Sequence, residues 1–123
     1  MNAFLWVGFG GFLGAAARHG IAVAAPAMVP GRFPMATFAM NCAGCLLAGL
    51  LAGMLARAPA PEPVRLFLMT GLLGGFTTFS AFGLEAVTLL RRGEMATLLL
   101  YVLGSVLVGI AAAWIGLRLT ARG

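Results

Sequence analysis

The chain has 123 residues, of which 62% are hydrophobic and 9% are charged, and its formal net charge is +5. One His and three carboxylates leave little material for catalysis or for a protein-built metal site, so this composition excludes a large soluble enzyme. The basic residues are all Arg and lie scattered along the chain, which argues against a nucleic-acid partner. The composition predicts an integral protein of the lipid bilayer.

Proline and arginine divide the sequence into four apolar segments. We predict helices at about residues 3–25, 35–56, 65–90 and 95–117. Each segment is long enough to cross a hydrocarbon core about 30 Å thick. Because the connections are short, successive helices should run antiparallel. The expected fold is therefore all-α, with residues 1–123 forming a single four-helix transmembrane domain.

Small residues recur at a spacing of four in every segment. The pairs are Gly10 with Gly14, Gly49 with Gly53, Gly71 with Gly75, and Ser105 with Gly109. Such faces let membrane helices approach closely, and we expect some of them to be buried against a second copy of the chain in a homodimer. The alternative is that Gly and Ala are simply common in membrane helices.

The arginines are almost evenly divided between the two ends of the predicted bundle. One end carries Arg57, Arg65, Arg118 and Arg122, and the other carries Arg32, Arg91 and Arg92. Arg18 would equalise the count if it extended towards the second end. Because Arg and Lys in short loops set orientation, this balance predicts insertion in both directions and a dual-topology antiparallel homodimer.

Asn41 lies about six residues into the second segment, where an amide in hydrocarbon needs partners. On a helix its neighbours would be Gly44, Cys45 and Ala48, so the amide should face a cleft. Two interpretations stay open from the spacing alone. Asn41 either binds a transported species or forms a hydrogen bond that only joins two helices.

The third segment contains the run GLLGGFTTFSAFG at residues 71–83. Glycines followed by two threonines favour a break in the helix between Gly74 and Thr78, near mid-membrane. Freed carbonyls at such a break can hold a cation, and the following helix N-terminus can attract an anion. The alternative is a kink that the threonine side chains close.

Other polar or aromatic positions are less specific. Phe76, Phe79 and Phe82 form a stripe beside hydroxyl groups, and ring edges can face an anion. Arg18 either lines a vestibule or extends to the interface, and Glu85 is interpreted as an interfacial carboxylate. The Cys42–Cys45 pair lacks the context of a redox motif and more simply fills a small-residue face.

Three stretches together resemble the Fluc family of fluoride channels, also called CrcB. They are GAAAR at residues 14–18, NCAG at 41–44 and, most specifically, GGFTTFSAF at 74–82. The resemblance covers nearly the whole chain and implies a passive channel that exports cytoplasmic fluoride through a bacterial plasma membrane. It also implies a dual-topology homodimer with two fluoride pathways and a central structural Na⁺.

The resemblance further implies roles for individual residues. Asn41 would donate its amide hydrogens to fluoride, and Phe79 and Phe82 would present ring edges along the pathway. Lesser polar candidates on the pathway are Ser80, Thr78, Tyr101 and Ser105. The backbone carbonyls of Gly74 and Thr77 would hold Na⁺, and Arg18 would lie near a vestibule. Ala81 departs from the family pattern, which usually has threonine there.

Two other functions remain as alternatives. A proton-coupled exporter of the small multidrug-resistance type needs a titratable group at its substrate site, and the first segment has no carboxylate, which leaves Glu85 for that task. A small assembly subunit without transport of its own would use the Phe-rich stripe only for packing.

Overall fold

The computed structural model describes residues 2–28 and 33–121, apart from the side chains of residues 26–28. It contains helices α1 (Ala3–Met28), α2 (Met35–Arg57), α3 (residues 62–76), α4 (Phe79–Arg91) and α5 (Met95–Ala121), and no strand within those ranges. Four spans are long and apolar enough to cross a membrane: Ala3–Ala25, Met35–Arg57, Glu62–Arg91 and Met95–Ala121. The prediction of an all-α protein with four membrane-spanning helices is confirmed. Arg32 and Arg122 lie outside the described residues, so the predicted charge balance is not fully visible.

Local signals explain where several helices begin and end. Asn2 Oδ1 accepts hydrogen bonds from the amides of Phe4 and Leu5, which caps α1. Gly93 ends α4 with a φ of +72°, a conformation that glycine adopts without steric cost. The amide of Glu94 then donates to the carbonyl of Leu89 at 3.0 Å, which closes the turn into α5.

The helices associate mainly as two pairs, α2 with α5 and α1 with α3. Glycines make both contacts close. A Cβ at Gly75 would lie 2.6 Å from the carbonyl oxygen of Gly11, and a Cβ at Gly116 would lie 2.5 Å from that of Leu46. The glycine pairs predicted on α1, α2 and α3 all face another helix of the same chain. They therefore give no independent indication of a second copy.

The third span is irregular along most of its length. Within α3, the short α-helix Glu62–Arg65 leads into the π-helix Leu66–Leu73, and Gly74–Phe76 returns to α-helix. Thr77 and Thr78 then leave the helix, with φ and ψ of −86° and 154° at Thr77 and −146° and 121° at Thr78. The interruption lies at the end of the range predicted for it.

The glycines are not the unwound residues, which corrects the physical reason given for the break. Gly74 has helical φ and ψ of −61° and −39°, and Gly75 packs against the backbone of α1. The extended residues are the two β-branched threonines, whose side chains disfavour the helix. Thr78 also caps α4, because its Oγ1 accepts the amide hydrogen of Ala81 at 3.2 Å.

Candidate functional site

A cavity of about 460 Å³ lies beside the break in the third span and is open on one side. Its walls come from α2, from the residues on both sides of the break and from α5. The lining residues are Asn41, Gly44, Cys45, Ala48, Met69, Leu73, Gly74, Thr77, Thr78, Phe79, Phe82, Ser105 and Val106. The cavity is thus mostly apolar with a few polar groups, as is usual for sites that bind small ligands.

Asn41 binds the backbone of the break directly. Its Nδ2 donates to the carbonyl oxygen of Thr78 at 2.9 Å, and its Oδ1 accepts the amide hydrogen of Thr78 at 2.8 Å. The helix-joining hydrogen bond that the sequence left open is therefore present. An Asn amide has two N–H donors, and within residues 2–28 and 33–121 the second one has no partner. Asn41 thus joins two helices and keeps one donor on the cavity wall.

The break redirects two amides that a continuous helix would use internally. The amide of Thr78 would bond the carbonyl of Gly74, but it donates to Asn41 instead. The amide of Ala81 would bond the carbonyl of Thr77, but it donates to Thr78 Oγ1. The carbonyls of Gly74 and Thr77 therefore lose their helical donors, which leaves them able to bind a cation.

Gly44 explains how Thr77 reaches this position. A Cβ at Gly44 would overlap Thr77 Cγ2, so only glycine allows the threonine to lie against α2. Thr77 Oγ1 donates to the carbonyl of Leu73 at 2.9 Å, which holds the side chain on its own helix.

Arg18 contacts the same region from α1. Its Nε donates to the carbonyl oxygen of Gly75 at 3.1 Å, and the side chain is half-buried. Arg18 is not among the residues that line the cavity. The structure shows a third arrangement beside the two interpretations open for this side chain, a hydrogen bond to the backbone next to the helix break.

Three aromatic rings form a series that begins at the cavity wall. The centroids of Phe79 and Phe82 are 5.6 Å apart, and those of Phe82 and Tyr101 are 5.0 Å apart. The exposure falls along this series, because Phe79 is 83% exposed and Tyr101 is completely buried. Phe79 and Phe82 line the cavity, whereas Tyr101 lies behind Phe82.

Tyr101 has two polar side chains beside its hydroxyl. The hydroxyl donates to Glu85 Oε1 at 3.4 Å, and the second neighbour is Thr37, which is 7% exposed. The interpretation of Glu85 as an interfacial carboxylate did not include this contact with a buried tyrosine. The position of Thr37 near the site could have been recognised from the sequence, because Thr37 precedes Asn41 by four residues and so lies on the same face of α2.

The two serines differ in position. Ser105 lines the cavity, and its hydroxyl oxygen is buried and has no hydrogen-bond partner in the described part of the chain. Ser80 is exposed, lies 3.5 Å from Thr78 Oγ1 between oxygens, and does not line the cavity.

The structure therefore brings most of the predicted site residues together. Those on the cavity wall are Asn41, Gly74, Thr77, Thr78, Phe79, Phe82 and Ser105. Those outside it are Arg18, Ser80 and Tyr101. Sequence reasoning missed the apolar wall that Met69, Leu73 and Val106 form, because single apolar residues in a membrane helix carry no distinguishing signal.

The fold and cavity define a polytopic helical membrane protein with a mostly apolar cavity that contains a few polar groups beside a broken helix. Comparison with known proteins gives the family. A model of the CrcB-like protein family, described as "CrcB-like protein, Camphor Resistance (CrcB)", matches residues 5–117.

Individual relatives agree with this match. The chain is 53% identical over 116 residues to the "Fluoride-specific ion channel FluC" of Paracoccus denitrificans, covering 94% of this chain and 92% of the relative. It is 50% identical over 124 residues to the protein of the same name from Hyphomonas neptunium, covering 99% of this chain and 98% of the relative. The chain belongs to the CrcB family.

Proposed function

We propose that this chain forms a passive fluoride-selective channel that lowers fluoride toxicity by releasing the anion from the cytoplasm. It is a membrane transport protein without enzymatic chemistry. The observation that carries the proposal is the cavity beside the break, where Asn41 is fixed by Thr78 and retains a second N–H donor. The names of its relatives support the same substrate.

The chemistry of the cavity suits a small, strongly hydrated anion. Fluoride must exchange water for donors at close range, and the cavity offers the amide of Asn41, the hydroxyl of Ser105 and the ring edges of Phe79 and Phe82. None of these groups carries a full charge. Several weak contacts in series let the anion enter and also let it leave.

The open side of the cavity supports assembly with a second copy. Polar groups at membrane depth must face protein or water, because lipid cannot satisfy their hydrogen bonds. A second chain of the same sequence, inserted in the opposite direction, would cover this side and the exposed ring of Phe79. The proposed assembly is a dual-topology antiparallel homodimer with two fluoride pathways.

The proposal includes a structural Na⁺ at the centre of this dimer. The carbonyls of Gly74 and Thr77 fit that task, since the amides that would occupy them are bonded elsewhere. The oxygen ligands of one chain are too few for a cation, and a twofold arrangement would double them. The described side chains include no cluster of His, Cys, Asp or Glu suited to a metal.

Ion efflux from liposomes tests the function. The purified protein is reconstituted alone, the vesicles are loaded with fluoride or with chloride, and release is followed with ion-selective electrodes while a potassium ionophore clamps the voltage. We expect rapid fluoride release, little chloride release and no requirement for a pH gradient. Protein that remains folded and releases no fluoride contradicts the proposal.

The exporter alternative has no support from the site. Glu85 accepts a hydrogen bond from the buried Tyr101 and does not line the cavity. Transport driven by a proton gradient and lost in Glu85→Gln would revive it.

A further inference from the structure

The break in the third span frees a third carbonyl, that of Gly75, and this one has a side-chain partner. In a continuous helix the carbonyl of Gly75 would accept the amide hydrogen of Phe79. The extended residues Thr77 and Thr78 separate the two helices at this point. The donor to Gly75 is instead Nε of Arg18, at 3.1 Å.

Arg18 is well placed to hold that carbonyl in one direction. It follows Gly14 by one helical turn, and the face of α1 that contains Gly14 contacts the backbone at Leu72 and Phe76. The guanidinium contacts the broken helix through this hydrogen bond.

We propose that Arg18 is a positioning residue of the channel: its Nε–H replaces the lost backbone donor of Gly75 and holds that carbonyl towards α1. Gly74 and Thr77 are then the carbonyls that stay available to a cation. This step rests on the Na⁺ site of the proposed function. Arg18 acts on that site through the backbone and does not contact the fluoride pathway.

The role depends on the N–H group more than on the positive charge. A guanidinium charge close to bound Na⁺ would repel the cation, so electrostatics alone would weaken the site. The hydrogen bond has the opposite effect, because it fixes the peptide units that carry the ligand oxygens. Charge and donor can be separated by substitution.

Three variants separate them. In Arg18→Gln, the amide nitrogen is the fourth side-chain atom, as Nε is in Arg, so a donor is kept without charge. In Arg18→Lys the charge is kept, but a carbon occupies that position. Arg18→Met removes both. Arg57→Met is the matched control, because Arg57 also donates to a backbone carbonyl, that of Thr120, but at the opposite end of α2 from the break.

The first readout is the carbonyl carbon signal of Gly75, in protein labelled with ¹³C′-glycine and ¹⁵N-phenylalanine. Gly–Phe pairs occur only at residues 8–9, 11–12 and 75–76, so the two pairs in α1 are internal references. We expect the Gly75 signal to move upfield in Arg18→Met, which has no donor, and in Arg18→Lys, whose donors lie one atom beyond the position of Nε, and to stay in place in Arg18→Gln. An unchanged signal in all three variants overturns the proposal.

The second readout is the sodium concentration that half-maximally stabilises the protein against thermal unfolding, with N-methylglucamine as the replacement cation. We expect this concentration to rise roughly tenfold in Arg18→Lys and Arg18→Met, the size of effect that one lost hydrogen bond to a charged donor produces. Arg18→Gln and Arg57→Met should stay close to the unsubstituted protein.

The outcomes distinguish the possible failures. If Arg18→Lys retains sodium affinity and Arg18→Gln loses it, the charge is what matters and the positioning role is wrong. If sodium does not stabilise even the unsubstituted protein, the Na⁺ site of the proposed function fails, whereas the Gly75 signal still decides whether Arg18 holds the carbonyl. If Arg18→Met does not fold, the comparison of Gln with Lys decides both readouts.

Discussion

Glycines bring the backbones close together in both helix pairs of this protein, but only one of the two pairs contains an interrupted helix. Between α2 and α5, a Cβ at Gly116 would meet the carbonyl of Leu46, and Thr120 Oγ1 donates to the carbonyl of Leu50 at 2.9 Å. Both helices are continuous there. Between α1 and α3, glycines again bring the backbones together, but α3 is π-helical over eight residues and ends at an interruption.

The difference lies in which backbone groups remain available. In the α2–α5 pair the helices satisfy their own amides, and the pair serves as a scaffold. In the α1–α3 pair the interruption frees amides and carbonyls, and side chains from other helices bind part of them, namely Arg18 and Asn41. Close glycine packing therefore stabilises both pairs, and the broken helix also releases backbone groups from helical bonding within its span, which side chains of other helices then bind.

Replacing Asn41 should have the largest effect on fluoride flux, because Asn41 binds the backbone at the interruption that distinguishes the α1–α3 pair from the α2–α5 pair. Asn41→Leu leaves the amide of Thr78 without its partner, removes one donor from the carbonyl of Thr78 and removes the free N–H donor. We expect fluoride efflux to fall roughly a hundredfold, and the free energy of unfolding to fall by about 2–4 kcal/mol. Flux assays in liposomes and denaturation in detergent measure the two effects.

The other asparagine of the chain provides the control. Asn2 caps α1, so Asn2→Ala should cost about 1 kcal/mol of stability and leave fluoride flux unchanged. Normal flux in folded Asn41→Leu would remove Asn41 from the fluoride pathway.

A pair of glycine substitutions compares the two contacts directly. A Cβ at Gly75 or at Gly116 would meet backbone atoms of the facing helix, so Gly75→Ala and Gly116→Ala should each lower stability by about 1–3 kcal/mol. Only Gly75 is next to the break. We therefore expect roughly tenfold lower flux per folded protein in Gly75→Ala and near-normal flux in Gly116→Ala.

Gly20→Ala controls for the added methyl group, since a Cβ at Gly20 would have no atom of another helix within 4 Å. Equal loss of flux in Gly75→Ala and Gly116→Ala would show that both pairs act only through overall stability.

A smaller effect is expected at Phe79, on the open side of the cavity. The ring is 83% exposed in the single chain, so Phe79→Ile should change folding little. If the ring edge contacts the anion, fluoride flux should fall roughly threefold to tenfold. Phe12→Ile is the matched control, because Phe12 is 70% exposed on α1 and is not part of the cavity. Unchanged flux in Phe79→Ile would contradict the ring-edge contact.

The sequence was sufficient for the four spans, because continuous apolar stretches bounded by Pro and Arg leave few alternatives. It also located the break, since Gly74 to Thr78 stands out from every other membrane segment of the chain. The cleft in front of Asn41 could be predicted from its small neighbours at helical spacing.

Other features required coordinates. Nothing in eight apolar residues separates a π-helix from an α-helix, so the irregularity of Leu66–Leu73 had no signal. The roles of Gly75 and Thr77 at the break depend on contacts with Gly11 and Gly44, which are distant in sequence. For the same reason, the hydrogen bond from Arg18 to Gly75 could not be told from a side chain that extends to the interface.

The smallest effect on fluoride flux is expected for Ser105→Ala. This substitution should lower the flux without lowering the stability of the protein. Its buried hydroxyl has no hydrogen-bond partner in the described part of the chain, so Ser105→Ala removes an unsatisfied group and should leave the melting temperature unchanged or slightly higher. If fluoride uses this hydroxyl during passage, flux should fall by about threefold, equivalent to a weak hydrogen bond. Ser80→Ala, which changes the only other serine, tests an exposed hydroxyl outside the cavity and should alter flux less. A clear loss of stability in Ser105→Ala would mean instead that the hydroxyl binds a protein group, which in the proposed dimer would belong to the second copy.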